Sequence, residues 1–235
     1  WSAGIYFELT ANIDTSATSL WNGGLGFSPI GNSATPFQGS FEGNGYVISA
    51  LTINRPSQDF VGLFGYVDSG AIIQNVALES TNITGQSNVG GLSGWNDGRI
   101  TYCYSTGAVS GTNSVGGVVG LNGGGLITSC YSSSTVSGTS DVGGLVGFNG
   151  AATTSCYSTG AVSGTSDVGG LAGVNTSTIT SCYWDTDTSG HPSSAGGTGK
   201  TTPEMKQQST FVGFDFTTTP EWVLLEGFSY PYLPW

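Results

Sequence analysis

Short apolar clusters separated by Gly, Ser, Thr and Asn recur along the middle of the chain at a fixed spacing. Aligned on Val-Gly-Gly, "VGGLSGWNDGRITYCYSTGAVSGTNS" (89–114), "VGGVVGLNGGGLITSCYSSSTVSGTSD" (115–141), "VGGLVGFNGAATTSCYSTGAVSGTSD" (142–167) and "VGGLAGVNTSTITSCYWD" (from 168) superpose. A diverged copy, "VGLFGYVDSGAIIQNVALESTNITGQSN", precedes them at 61–88. Cys103, Cys130, Cys156 and Cys182 stand at equivalent places, 27, 26 and 26 residues apart. A period of this length marks a repeat architecture in which each unit buries its apolar face against the next.

The contents of the unit select the architecture. Each copy holds three short β-prone pieces, "GGLVG", "ITSCYS" and "AVSG", with turn residues between them and no 3.6-residue periodicity. The long Leu/Ala runs of helical repeats and the dense leucines of a leucine-rich repeat are absent, and a propeller blade needs a longer unit of ~40 residues. What remains is an all-β solenoid: one coil of a parallel β-helix per repeat, three strands per turn, successive coils ~4.8 Å apart. The period predicts about seven coils, with Gly turning the corners.

Stacking converts repeated letters into columns. Ile100, Ile127 and Ile179 form one, Val109, Val136 and Val162 a second (with Ile83 of the diverged copy), and Leu92, Val118, Leu145 and Leu171 a third. These are the expected interior ladders. Asn96, Asn122, Asn149 and Asn175 align at a turn, where an Asn column can hydrogen-bond along the stack.

At this point "VGGLVGFN…TSCYSTGAVSG" resembles the bacterial GLUG repeat. Upstream, "IYFELTANID…PFQGSFEGNGYVISALTI" is similar to the usual first coils of such domains. Downstream, "YWDTDTSG…GGTGKTTPEMKQQSTFVGFDF…WVLLEGFSYPYLPW" is similar to their closing segment. The resemblance implies a right-handed parallel β-helix, residence in secreted or surface-anchored proteins, adhesins among them, and no catalysis by the repeats. Some such segments accompany zinc peptidase domains. This chain has a single His and no His-Glu-x-x-His. The division expected is a β-helix over 1–183 (N-terminal coils 1–60, repeats 61–183) and a capping segment over 184–235 of the same domain. Within that segment "TTPEMKQQ" reads as a short helix with Thr202 as N-cap and Pro203 at its first position. The tail is expected to fold over the last coil or along the solenoid's side. An end left open invites end-to-end stacking of copies into a fibre.

Composition narrows the functional classes. Forty glycines would suggest low complexity, but 37% hydrophobic and 11% aromatic residues are too many for a disordered chain. With 4 Lys+Arg against 15 Asp+Glu and a net charge of −11, nucleic acid and a polybasic membrane patch are excluded as partners. No apolar run reaches the ~18 residues a membrane helix needs. The chain opens at Trp1 with neither Met nor a signal-peptide pattern, so the expectation is a processed or excised piece of an exported protein.

Candidate chemistry is sparse. The cysteine column has two readings. One is a ladder of buried thiols, because the diverged copy has Val76 at the same place. The other is a pair of disulfides, Cys103–Cys130 and Cys156–Cys182, although in-register side chains disfavour the required dihedral. Zinc would need ligands at tetrahedral corners rather than in a line. If Cys points inward, Tyr104, Tyr131, Tyr157 and Tyr183 point outward and form an aromatic column, either a strand-stabilising stack or an interaction platform for a glycan or protein. "DTDTSG" matches the start of a calcium loop with Asp185, Asp187 and Ser189 as ligands, but the twelfth position is Gly196 rather than an acid. An Asx-type turn is the alternative. Asn82 and Asn175 head N-glycosylation acceptor triplets. Asp141 and Asp167 share a rung column and are expected splayed at a solvated turn. No acids converge with Arg55, Arg99, Lys200, Lys206 or His191 as a lyase or hydrolase requires. The sequence therefore points to a non-enzymatic extracellular or cell-surface solenoid without a cofactor. Its expected partners are another copy, a surface protein or a glycan. A carbohydrate-binding or polysaccharide-degrading solenoid is the competing reading.

Overall fold

The computed structural model describes residues 4–217 and 221–235; Trp1, where the processed end is expected, lies outside them. The chain winds into an all-β parallel solenoid. One coil runs through Ser87–Gly90, Ser93–Asn96, Arg99–Thr101 and Tyr104–Ser110. The next coil repeats it with Asn113–Gly116, Val119–Asn122, Leu126–Thr128 and the pair Tyr131–Ser132 and Thr135–Ser137. Like strands pair in parallel, Val115 opposite Val89 and Val142, Asn122 opposite Asn96 and Asn149, Ile127 opposite Ile100, Tyr131 opposite Tyr104 and Tyr157. Four faces result, here named for their valine, asparagine, isoleucine and tyrosine columns.

Four faces rather than three is a correction with a physical cause. "GGLVG" is not one strand: the chain reverses at Gly91–Leu92 and lays the asparagine face directly on the valine face. The contact is backbone against backbone. A Cβ on Gly94 would lie 2.6 Å from the Val61 amide nitrogen and 2.7 Å from the Asn88 carbonyl oxygen, and one on Gly120 would crowd Val89 more closely still. Real Cβ atoms do not approach that near, so the two sheets meet only where both lack side chains.

The corners are also turned differently from expectation. Asn88, Ser114, Asp141 and Asp167 form one left-handed column, at φ 54°, 50°, 54° and 51°. Asn75, Tyr102, Ser129, Ser155 and Ser181, each just before the cysteine position, form another at φ 50–55°. Asn, Asp and Ser tolerate this conformation through local hydrogen bonds, and repetition makes each column a regular bend.

The isoleucine face carries seven strands, from Tyr6–Glu8 to Ile179–Thr180, but the asparagine face carries five and the valine face four. The solenoid thus completes about five turns, short of the seven the period predicts. The difference lies before residue 61. There the Gly-Gly reversal is missing, and the chain departs into the 3-10 segment Ser16–Gly24 and single bridges from Ile30 and Phe37 to Phe64 and Val67.

Inside, Leu92, Val118, Leu145, Leu171, Ile73, Ile100 and Ile127 are fully buried and belong to one continuous core. Its last rung is closed by Trp184, which replaces the Ser158 column position and lies against Gly170. Above it Thr198–Lys200 adds a strand to Tyr183–Asp185, and Ser193 and Ala195 hydrogen-bond to the strands below. Glu204–Lys206 is one 3-10 turn with no side-chain cap. Thr202 instead donates to Asp185 and Asp187. The tail then runs back along the tyrosine face and builds a second core around Met205, Phe211, Trp222 and Leu233.

Replacing Gly120 by Ala is expected to cost at least the ~1–3 kcal/mol typical of overpacking. Gly70→Ala, where a Cβ meets nothing within 4 Å, should stay within about 0.5 kcal/mol of wild type. Urea unfolding of the two variants checks the difference; equal midpoints would remove the sheet-contact role of Gly120.

Candidate functional site

The asparagine, cysteine and tyrosine columns singled out in the sequence are in register. In the asparagine column, Asn96 Nδ2 donates to Asn122 Oδ1 at 2.9 Å, Asn122 to Asn149 at 3.1 Å and Asn149 to Asn175 at 2.9 Å. Asn96 and Asn175 turn their oxygens to the amides of Gly98 and Ser177. Asn96, Asn122 and Asn149 are fully buried, so the ladder satisfies groups that would otherwise cost ~1–3 kcal/mol each unpaired.

The four cysteines are buried free thiols. They repeat one geometry: Sγ lies 3.1–3.2 Å from the carbonyl oxygens of Thr101, Thr128, Thr154 and Thr180 in turn. Cys103, Cys130 and Cys156 each donate their amide N–H to the next cysteine's sulfur at 3.4 Å. Burial pushes the Cys103 and Cys156 thiols up, so both stay protonated at neutral pH.

The tyrosines do point outward, but the tail covers them. Tyr157 and Tyr183 are 2% and 7% exposed. Tyr104, Tyr131 and Tyr157 stack with centroids 4.7 and 5.0 Å apart and planes within 12°. Trp222 leans on Tyr131 and Tyr157, Phe211 on Tyr157 and Tyr183, and Trp235 on Tyr104. The hydroxyls are engaged too. Tyr157 donates to the Pro231 carbonyl, Tyr183 to Val212 and Tyr104 to Glu79. All four tyrosines of the column thus belong to the floor of a core, two buried and two half-buried, where the sequence suggested an interaction platform.

Asp185 is fully buried, and all four of its hydrogen-bond contacts are donors. Oδ1 takes the amides of Asp187 and Thr188, and Oδ2 takes the hydroxyls of Thr202 and Tyr230. This caps the turn Thr186–Ser189, the Asx alternative, and leaves no lone pair on Asp185 for a cation. Asp187 accepts from the Thr202 amide, and Ser189 is buried, its Oγ accepting from the His191 amide. Among the described residues, no three His, Cys, Asp or Glu converge to hold a metal ion. Asn82 is exposed on Ala77–Thr84. Asn175 is tied into the ladder. Asp141 accepts from Ser114 at the rim while Asp167 is exposed.

A groove of about 510 Å³ is lined by Tyr183, Lys200, Glu204, Gln207 and Thr210. It contains one carboxylate, paired with Lys200 at 3.5 Å, and so lacks the paired acids of a glycosidase. The aromatic stripe left uncovered is one the sequence reading passed over. Tyr66, Trp95, Leu121, Phe148 and Val174 align outside the asparagine face, all half-buried. Tyr66 and Trp95 stack at 5.6 Å and 8°. The signal was present: each precedes a core residue (Val67 or a ladder Asn), so strand alternation turns it outward.

Comparison with known proteins agrees with this geometry. Residues 85–110 match the GLUG motif. Over 48% of its length the chain is 44% identical to halomucin of Haloquadratum walsbyi, covering 1% of that protein. Over 41% it is 39% identical to a Gly-rich membrane protein of Evansella cellulosilytica, covering 12% of it. The chain thus spans only a small part of either relative. A crystal structure from Bacteroides ovatus, described as a candidate immunoglobulin A1 protease, superposes over 100% of this chain and 87% of its own with a TM-score of 0.71 at 21% identity. At that identity it speaks for the fold alone. With the motif matched and its Gly-Gly reversal seen to bring two sheets into backbone contact, the chain is a parallel β-solenoid that carries a GLUG motif over residues 85–110.

Proposed function

We propose that this chain is a non-catalytic structural module of an extracellular or cell-surface protein, a short rigid rod that spaces or displays what it is joined to. The observation carrying this reading is that the Asn side chains bond from rung to rung and the Tyr side chains pack under the tail, instead of converging on a groove. The likeness to halomucin and to a Gly-rich membrane protein supports a surface setting. Among the described residues no helix is long and apolar enough to cross a membrane.

The ends bear on fibre formation. One is closed by Trp184 and residues 193–200. The other ends in the strand Tyr6–Glu8, with Ile5, Tyr6, Ile13, Leu20, Trp21 and Leu25 exposed. Head-to-tail stacking needs two complementary open ends, so the rod acts singly rather than as a homopolymer. Negative-stain imaging and light scattering of the purified chain should show discrete short rods; filaments would overturn this. Incubation with a polysaccharide panel and with immunoglobulin A1 should give no cleavage, and turnover of either would overturn the non-catalytic reading.

The tyrosine column serves the rod as a buttress. Trp222→Ala should cost about 3–5 kcal/mol, as for a buried aromatic, measured by urea unfolding. Tyr66, Tyr102 and Tyr230 are each pushed up to about 12, by burial first and then by hydrogen bonds to Asp97, Glu221 and Asp185. The folded protein therefore holds these protons more tightly than the unfolded chain, whose tyrosines titrate near ~10. The stabilisation is complete below pH ~10 and is lost as the pH rises through about 12. Tyrosinate absorbance followed against pH should show these groups ionising near 12, together with alkaline unfolding; a single transition near 10 in folded protein would contradict the hydrogen bonds of these three hydroxyls to Asp97, Glu221 and Asp185.

A further inference from the structure

The cysteine column is chemistry that the rod does not need, since Val76 fills the same place one coil earlier. Its geometry is unusual in one respect. The four thiols adopt the same position on successive rungs, shown by the repeated Sγ contacts to the threonine carbonyls and by the three amide-to-sulfur contacts of 3.4 Å. Side chains related by pure translation keep their sulfurs one rung apart, ~4.8 Å. A disulfide requires ~2.05 Å, so neighbouring sulfurs are held too far apart to bond directly. A metal–thiolate bond is ~2.3 Å, so a straight sulfur–metal–sulfur unit is ~4.6 Å long, close to one rung.

We propose that this column is a binding site for soft metal ions that coordinate two thiolates in a line, of the mercury(II) class. One ion bridges Cys103 and Cys130 and a second bridges Cys156 and Cys182. Soft sulfur ligands select such ions over the hard cations that carboxylates hold. In each event two S–H bonds break, two metal–sulfur bonds form and two protons leave to water. With a divalent ion the bridged unit is neutral, as the two thiols were. A monovalent ion would leave a net negative charge in a fully buried apolar site, at high cost. The amide N–H groups that already point at the sulfurs of Cys130, Cys156 and Cys182 remain as donors to the metal-bound thiolates. Cys182, on the last coil beneath Thr198, is 2% exposed where the other three are 0%.

The test is titration of the full chain with mercury(II) chloride, followed by native mass spectrometry, proton release, near-ultraviolet charge-transfer absorption and circular dichroism. Wild type should take up two ions, release four protons, keep its β signal and unfold at higher temperature. Two double variants with equal thiol number separate bridging from simple thiol capture. C103V/C182V keeps neighbours Cys130 and Cys156 and should bind one ion. C130V/C182V keeps Cys103 and Cys156, two rungs apart, and should bind at least 1000-fold more weakly. Equal uptake by the two folded variants overturns the proposal. So does an uptake of four ions by wild type, absence of uptake, or loss of the β signal on metal addition.

Discussion

The close approach of the valine and asparagine sheets is the constraint from which the rest of the molecule follows. Two parallel sheets can touch backbone to backbone only where neither carries a Cβ, and Gly90, Gly94 and their equivalents supply that condition on each rung. The reversal at Gly91–Leu92 sends the chain back on itself and drives Leu92 and its column into the core. The remaining faces then close around that column. Ser105, Ser132 and Ser158 sit across from the second glycine of each pair, where Trp184 can enter only because the stack ends there.

Translational repetition has a second effect. Polar groups placed in a column find partners in their own copies above and below, as the asparagines do. Burial of amides, hydroxyls and thiols is thereby tolerated without a ligand. The same arrangement works against catalysis, which needs different groups converging from different elements on one point. A regular solenoid places like beside like.

The columns were legible in the sequence because register follows directly from the period: once Val89 is set over Val115, the neighbours of Ile100, Cys103, Tyr104 and Val109 are determined. The number of faces was not. "GGLVG" and "ITSCYS" read as continuous strands, and nothing local distinguishes a flat "VGG" from one that folds back. Ser129, Ser155 and Ser181 gave no sign of left-handed backbone, since Ser is common in strands and turns alike. The calcium-like "DTDTSG" was ambiguous for the same reason: a carboxylate followed by small polar residues suits a cation or a helix N-terminus, and the donors that occupy Asp185 come from Thr202 and Tyr230, distant in the chain.

The tyrosine column shows most clearly where the sequence stops. Alternation with cysteine established that Tyr104, Tyr131, Tyr157 and Tyr183 face away from the solenoid's interior, because side chains on one strand must alternate. Whether outward meant solvent was a separate matter. The tail has no period, so nothing in its letters ties Trp222 to Tyr131 or Trp235 to Tyr104. Those contacts arise from long-range packing of an apolar segment onto the apolar stripe within its reach. The sequence by itself determined the solenoid, its register and its inner columns, all consequences of repetition. The tertiary structure alone decided which outer column is covered, which end is closed and which carboxylate is occupied, because each depends on residues that do not repeat.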